Sequence, residues 1–133
     1  MLRHVALVVP VITLVLTGCA STGGRGDAAA SVALRMLGAV DSQDGPTACG
    51  TLAPDTVADL EQSAEKPCAE AILQEDLPAP GQVELTEVYG QWAQVRLTGD
   101  TVFLALFPGG WRVVAAGCTP RPPRPYDCVL RGS

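Results

Sequence analysis

The sequence predicts an α+β fold in which N-terminal helices precede an antiparallel sheet of about four strands. Three observations predict it. Apolar residues recur at helical spacing through the first half of the chain, then at a period of two after Leu77-Pro78-Ala79-Pro80-Gly81. The second half is divided by short glycine turns at Gly90, Thr98-Gly99-Asp100 and Pro108-Gly109-Gly110, as consecutive hairpins require. The helices come first and do not alternate with the strands, which separates this order from the βαβ units of a parallel sheet.

Before the domain comes a targeting segment. Arg3 and His4 supply a positive start, and Val5 to Leu16 an apolar run that is shorter than the roughly 20 residues needed to span a bilayer. Thr17 and Gly18 are small enough to enter a peptidase cleft in extended form. Cys19 follows directly, and Leu16-Thr17-Gly18-Cys19 resembles the lipobox of a bacterial lipoprotein. Residues 1–18 are therefore read as a lipoprotein signal peptide and Cys19 as the lipidated residue. Acyl chains there would anchor the protein at the extracytoplasmic face of the cell membrane. Residues 19–27 read as a lipidated flexible tether, with the Gly-rich Ser21 to Asp27 carrying the flexibility and Asp27 capping the first helix.

From Ala28 onward, Ala29, Ala33, Met36, Leu37 and Val40 fall on one helical face. Asp44-Gly45-Pro46 ends that helix. Three shorter helices follow, each begun by a proline near its first turn: Pro46 to Leu52, Pro54 to Gln62 and Pro67 to Glu75. In the sheet, Val83, Leu85, Glu87 and Tyr89 share one strand face, and Gly90 marks a bulge or tight bend. Ala93, Val95 and Leu97 alternate against Trp92, Gln94 and Arg96. Val102 to Phe107 is apolar on both faces and reads as a central strand; Trp111 to Cys118 is the last. Residues 28–118 thus form the domain. Residues 119–133 form a Pro- and Arg-rich tail in which Thr119 to Pro125 favours extended polyproline conformations.

Loss of Arg3 with the signal peptide takes the formal net charge from −5 to −6. An acidic chain is a poor match for nucleic acid, whose affinity comes largely from basic residues on phosphates. Beyond Cys19, four cysteines remain, Cys49, Cys68, Cys118 and Cys128, and four allow three connectivities. An oxidising compartment favours bridges. Cys49–Cys68 and Cys118–Cys128 are expected because each pair lies within one structural region. Zinc is disfavoured, because no CxxC spacing is present and the single histidine, His4, leaves with the leader.

Thr47-Ala48-Cys49, Leu52-Ala53-Pro54, Pro67-Cys68-Ala69-Glu70-Ala71, Gly90, Gly110-Trp111-Arg112-Val113, Ala116-Gly117-Cys118 and Pro125-Tyr126-Asp127-Cys128 are the residues that carry a family likeness. Over residues 28–128 the chain resembles the NTF2-like (cystatin-cone) superfamily, in particular small lipoproteins of high-GC Gram-positive bacteria. The resemblance implies helices packed on a curved antiparallel sheet that forms a cone. It implies no single activity, because this superfold hosts enzymes, ligand carriers and assembly domains alike.

Without histidine, the mature chain has no Ser-His or Cys-His nucleophile pair and no histidine base. Carboxylates and two tyrosines remain. Glu87 and Tyr89 on one strand face resemble the Asp and Tyr chemistry of a ketosteroid isomerase, if that face lines an apolar cone. Asp55, Asp59, Glu61, Glu65, Glu70, Glu75 and Asp76, with Lys66, lack the spacing of a calcium loop and read as a solvated helical face. Arg112, Arg121, Arg124 and Arg131 outnumber Asp127 near the end, a polarity suited to an anionic surface. Trp92, Trp111, Phe103 and Phe107 read as core, or as the lining of a ligand pocket. The expectation is a non-catalytic binding or interaction module without cofactor or metal, partnered by the membrane through Cys19 and by a protein of the cell envelope. The alternatives are a carrier of a small apolar ligand in the cone, and an isomerase- or dehydratase-like enzyme.

Overall fold

Ala29, Ala33, Met36, Leu37 and Val40, the stripe read from the sequence, are the buried face of helix α1 (Thr22–Asp41). The structure, a computed structural model, describes residues 22–133. Residues 1–21, which hold the expected signal peptide and Cys19, lie outside the described residues. Helix α1 begins earlier than expected, so residues 22–27 are helical and Asp27 lies within the helix rather than capping it. Tertiary contacts explain the difference. Gly26 lies against the side chains of Thr86 and Val88, and the Arg25 guanidinium donates to the Gly90 carbonyl at 2.5 Å. Such packing outweighs the low helix propensity of Gly23, Gly24 and Gly26.

Helix α2 (Gly45–Gly50) starts at Asp44, whose carboxylate accepts the Thr47 N–H at 3.2 Å. Helix α3 (Pro54–Ala64) has its proline in the first turn. Helix α4 (Cys68–Ala71) continues into a 3₁₀ turn (Ile72–Gln74). These match the three proline-initiated segments expected.

The sheet has five antiparallel strands in the order β1-β2-β3-β4-β5, one more than expected. They are β1 (Val83–Tyr89), β2 (Trp92–Leu97), β3 (Asp100–Phe107), β4 (Gly110–Arg121) and β5 (Arg124–Arg131). The fifth strand corrects the reading of residues 119–133 as a Pro- and Arg-rich tail, polyproline-like over Thr119 to Pro125, and of Cys118 as the end of the domain. Pro122 and Pro123 form the turn between β4 and β5, and Pro125 is accommodated because β5 is an edge strand.

One sheet face packs on the helices. Val95, Val102, Leu104 and Val113 meet Met36, Leu37, Leu52 and Ile72, and all are essentially sealed from solvent. The chain between α2 and α3 is stitched to β4: Val113 N–H donates to the Thr51 carbonyl, and Ala53 N–H to the Val113 carbonyl, each at 2.8 Å. Thr56 Oγ1 donates to the Val114 carbonyl at 3.0 Å and ties α3 to the same strand. On the opposite face, Tyr126 of β5 packs edge-on against Phe103 of β3, with ring centroids 5.0 Å apart. Its hydroxyl accepts from Gln94 Nε2 of β2 at 3.2 Å. Neither β2 nor β3 neighbours β5 in the sheet, so the far end of the β4–β5 hairpin leans over the outer face.

Candidate functional site

The helix-covered face of the sheet is filled by core side chains, so the aromatic residues on offer to a partner are those of the other face. Register places Leu85, Glu87 and Tyr89 of β1 opposite Arg96, Gln94 and Trp92 of β2. The turn between them is Gly90-Gln91, with Gly90 at φ +59°, a position where glycine is favoured. Tyr89 is 62 % exposed and Trp92 57 %, unusual values for large rings on a folded sheet. Leu85 and Val83, toward the other end of β1, are also exposed.

Of the four aromatic residues read as core or pocket, only Trp111 is buried, at 8 % exposure. Phe103 and Phe107 are half-buried and Trp92 faces outward. Glu87 and Tyr89 do share a face, but it is the outer one. The hydrogen bond to the Glu87 carboxylate raises the Tyr89 hydroxyl above its ordinary value, with small additions from desolvation and from the negative charge.

Both cysteine pairs are closed. Cys49–Cys68 joins α2 to α4, with Cα atoms 6.1 Å apart. Cys118–Cys128 links directly opposed residues of β4 and β5. The acidic residues of 55–76 are spread along helices and their connections. Glu61 accepts the Cys68 N–H at 2.9 Å, Asp59 accepts the Ser133 N–H at 2.7 Å, and Lys66 lies 3.9 Å from Glu70. Among the described residues, no group of three or more His, Cys, Asp or Glu is placed to hold a metal. The C-terminal arginines are partly committed: Arg121 pairs with Asp127 at 3.3 Å, and Arg112 donates to the Gly50 carbonyl at 2.8 Å.

Three residues matter to which sequence reasoning gave no individual role. Asp100 is 7 % exposed, and its carboxylate accepts the N–H groups of Thr101, Cys118 and Gly117 at 2.6, 2.9 and 3.2 Å. Burial pushes its carboxyl above the ordinary range, against the pull of those three donors. An acid opening a continuous apolar strand was the available signal. Arg25 fixes the start of α1 to the β1–β2 turn and lies over the Trp111 ring at 5.7 Å. Tyr126 clamps the β4–β5 hairpin; neither of these two carried a local signal. An open cleft of about 370 Å³ also lies between α3 and β5, bordered by Asp59, Gln62, Ser63, Glu75 and Arg131 over Leu60 and Leu130.

No helix among the described residues is long and apolar enough to cross a membrane. No family model, no curated protein and no solved structure matches the chain.

Proposed function

We propose that this chain is a membrane-anchored extracytoplasmic lipoprotein, a non-catalytic binding or interaction module carried on an NTF2-like frame. The observation that carries the reading is cysteine arithmetic. The sequence holds five cysteines, and two disulfides take four of them, leaving Cys19 behind its lipobox-like Leu16-Thr17-Gly18. Closed disulfides suit an oxidising, extracytoplasmic setting. Acyl chains on Cys19 would then hold the domain on the outer face of the cell membrane.

The non-catalytic part of the reading draws support from the filled space between the sheet and the helices. Met36, Leu37, Val95, Val102, Leu104 and Val113 occupy the space where a cone would hold substrate. Glu87 and Tyr89 stand outside it on an open face, where solvent weakens any electrostatic contribution to catalysis. Helices followed by an antiparallel meander are the element order that the NTF2-like reading expects. A protein of the cell envelope is the partner class that fits a module so placed.

The test is expression with the native leader in a high-GC Gram-positive host, followed by fractionation and intact-mass analysis. The expected product starts at Cys19, carries a diacylglyceryl mass and sediments with membranes, while Cys19→Ser loses both properties. A chain that retains residues 1–18 with an unmodified Cys19 would overturn the reading.

A further inference from the structure

The start of helix α1 and the exposed aromatic pair belong to the same end of the molecule. Cys19 precedes Thr22, the first residue of α1, by three positions, a span of at most about 11 Å of fully extended chain. The first turn of α1 is in turn fixed to the β1–β2 turn. Arg25 donates to the Gly90 carbonyl at 2.5 Å, and Gly26 abuts Thr86 and Val88. Gly90 lies between Tyr89 and Trp92, the most exposed rings on the sheet. The β3–β4 turn adjoins it, because the Leu106 N–H donates to the Gln91 carbonyl at 2.8 Å. That second turn adds the half-buried Phe107 and the exposed Pro108.

The chemistry of this end is also distinctive in an acidic chain. Residues 89–92 and 107–111 contain no charged side chain, and the nearest arginines are Arg25 and Arg112. The adjacent acid is Glu87, two residues before Tyr89 on the same strand face. Tyrosine and tryptophan, with an apolar body and a polar edge, partition to the boundary between headgroups and acyl chains.

We infer that the β1–β2 turn is a membrane-contacting surface: Tyr89 and Trp92 seat in the bilayer interface beside the lipid on Cys19. This inference rests on the lipoprotein reading and adds an orientation to it. A single acylated cysteine on a free tether would leave the domain to tumble. A helix that starts three residues after the anchor and is fixed to an aromatic turn gives it one preferred face.

The experiment uses the full lipidated chain, reconstituted in vesicles of phosphatidylglycerol and phosphatidylcholine with and without bromine on the upper acyl carbons. Intact mass is measured first, so an unmodified Cys19 would identify failure of the anchor reading itself and remove this inference with it. With the acyl mass present, the brominated lipid is expected to quench the tryptophan emission. In Trp92→Phe, where only the buried Trp111 emits, most of that quenching is lost. Circular dichroism of the two proteins should coincide, since Trp92 packs against little. Acylated wild type that is not quenched, or that is quenched equally in both proteins, overturns the inference. The first of those outcomes is the one expected if this surface serves a protein partner.

Discussion

Asp100 Oδ1 accepts the Cys118 N–H at 2.9 Å, joining residues eighteen positions apart at the bend where β4 leaves the main sheet. Oδ2 takes the neighbouring Gly117 N–H, and Gly117 has φ +65°. The carboxylate therefore satisfies donors that the bend removes from the regular ladder, at the base of the hairpin closed by Cys118–Cys128. Asp100→Asn keeps the shape but turns an NH₂ group toward one of those donors. The expected cost is about 2 kcal/mol, the usual size for a buried donor left without an acceptor, read by urea denaturation at pH 7.

The same residue sets a pH dependence. Burial raises the Asp100 carboxyl in the folded state, so the folded protein binds that proton more tightly than the unfolded chain does. Its contribution is most favourable below the ordinary aspartate range. It declines as pH rises from that range through the raised folded value. The stability gap between wild type and Asp100→Asn should accordingly be wider at pH 3.5 than at pH 7, with about the ordinary aspartate value as the lower edge of the decline. A gap that widens with increasing pH contradicts the assignment.

Cys49–Cys68 closes a loop with a sequence separation of 19 and clamps the two short helices α2 and α4 together. Replacing both cysteines with alanine should cost roughly 3 kcal/mol by the chain-entropy model. The midpoint of thermal unfolding, measured on oxidised wild type and the double variant, checks this.

Gly45 makes that clamp geometrically feasible. A Cβ placed there would run into the Ala69 carbonyl of α4, a backbone atom that cannot swing aside. Gly45→Ala should force α2 and α4 apart and cost about 1–3 kcal/mol, as overpacking generally does. Gly50→Ala, where a Cβ meets nothing within 4 Å, is the matched control and should unfold close to wild type in the same denaturant titration.

What was legible in the sequence was the part decided by local pattern. The α1 stripe, the prolines opening α2 and α3, and the alternation of Ala93, Val95 and Leu97 all appear in the structure as read. The errors share a cause. Residues 22–27 read as a tether because glycine is a poor helix former, yet the contact that orders them, Arg25 to Gly90, crosses 65 residues. Residues 119–133 read as a tail because prolines and arginines dominate their composition, yet Tyr126 is held by Gln94, 32 residues away. The outward-facing aromatic pair was half legible. Period two placed Tyr89 on a face, but only the position of the helices decides which face of a sheet is wet.

Tyr126 offers a way to separate the hairpin's covalent from its non-covalent hold. Tyr126→Phe removes only the bond from Gln94, a partly exposed contact worth about 0.5–1 kcal/mol, and keeps the ring against Phe103. Tyr126→Ala also removes the edge-to-face pair, worth roughly another 1 kcal/mol beyond the area it buries. The hairpin would still be tied at its base, because Cys118–Cys128 lies between Tyr126 and the rest of β5. The loss is therefore local. Amide hydrogen exchange over residues 119–127 should accelerate in Tyr126→Ala, and in Tyr126→Phe only slightly, while the exchange of β2 and β3 amides stays near wild type. If β2 and β3 accelerate together with the hairpin, the hairpin is part of the cooperative core, and the description of an arm folded over a finished sheet would have to be abandoned.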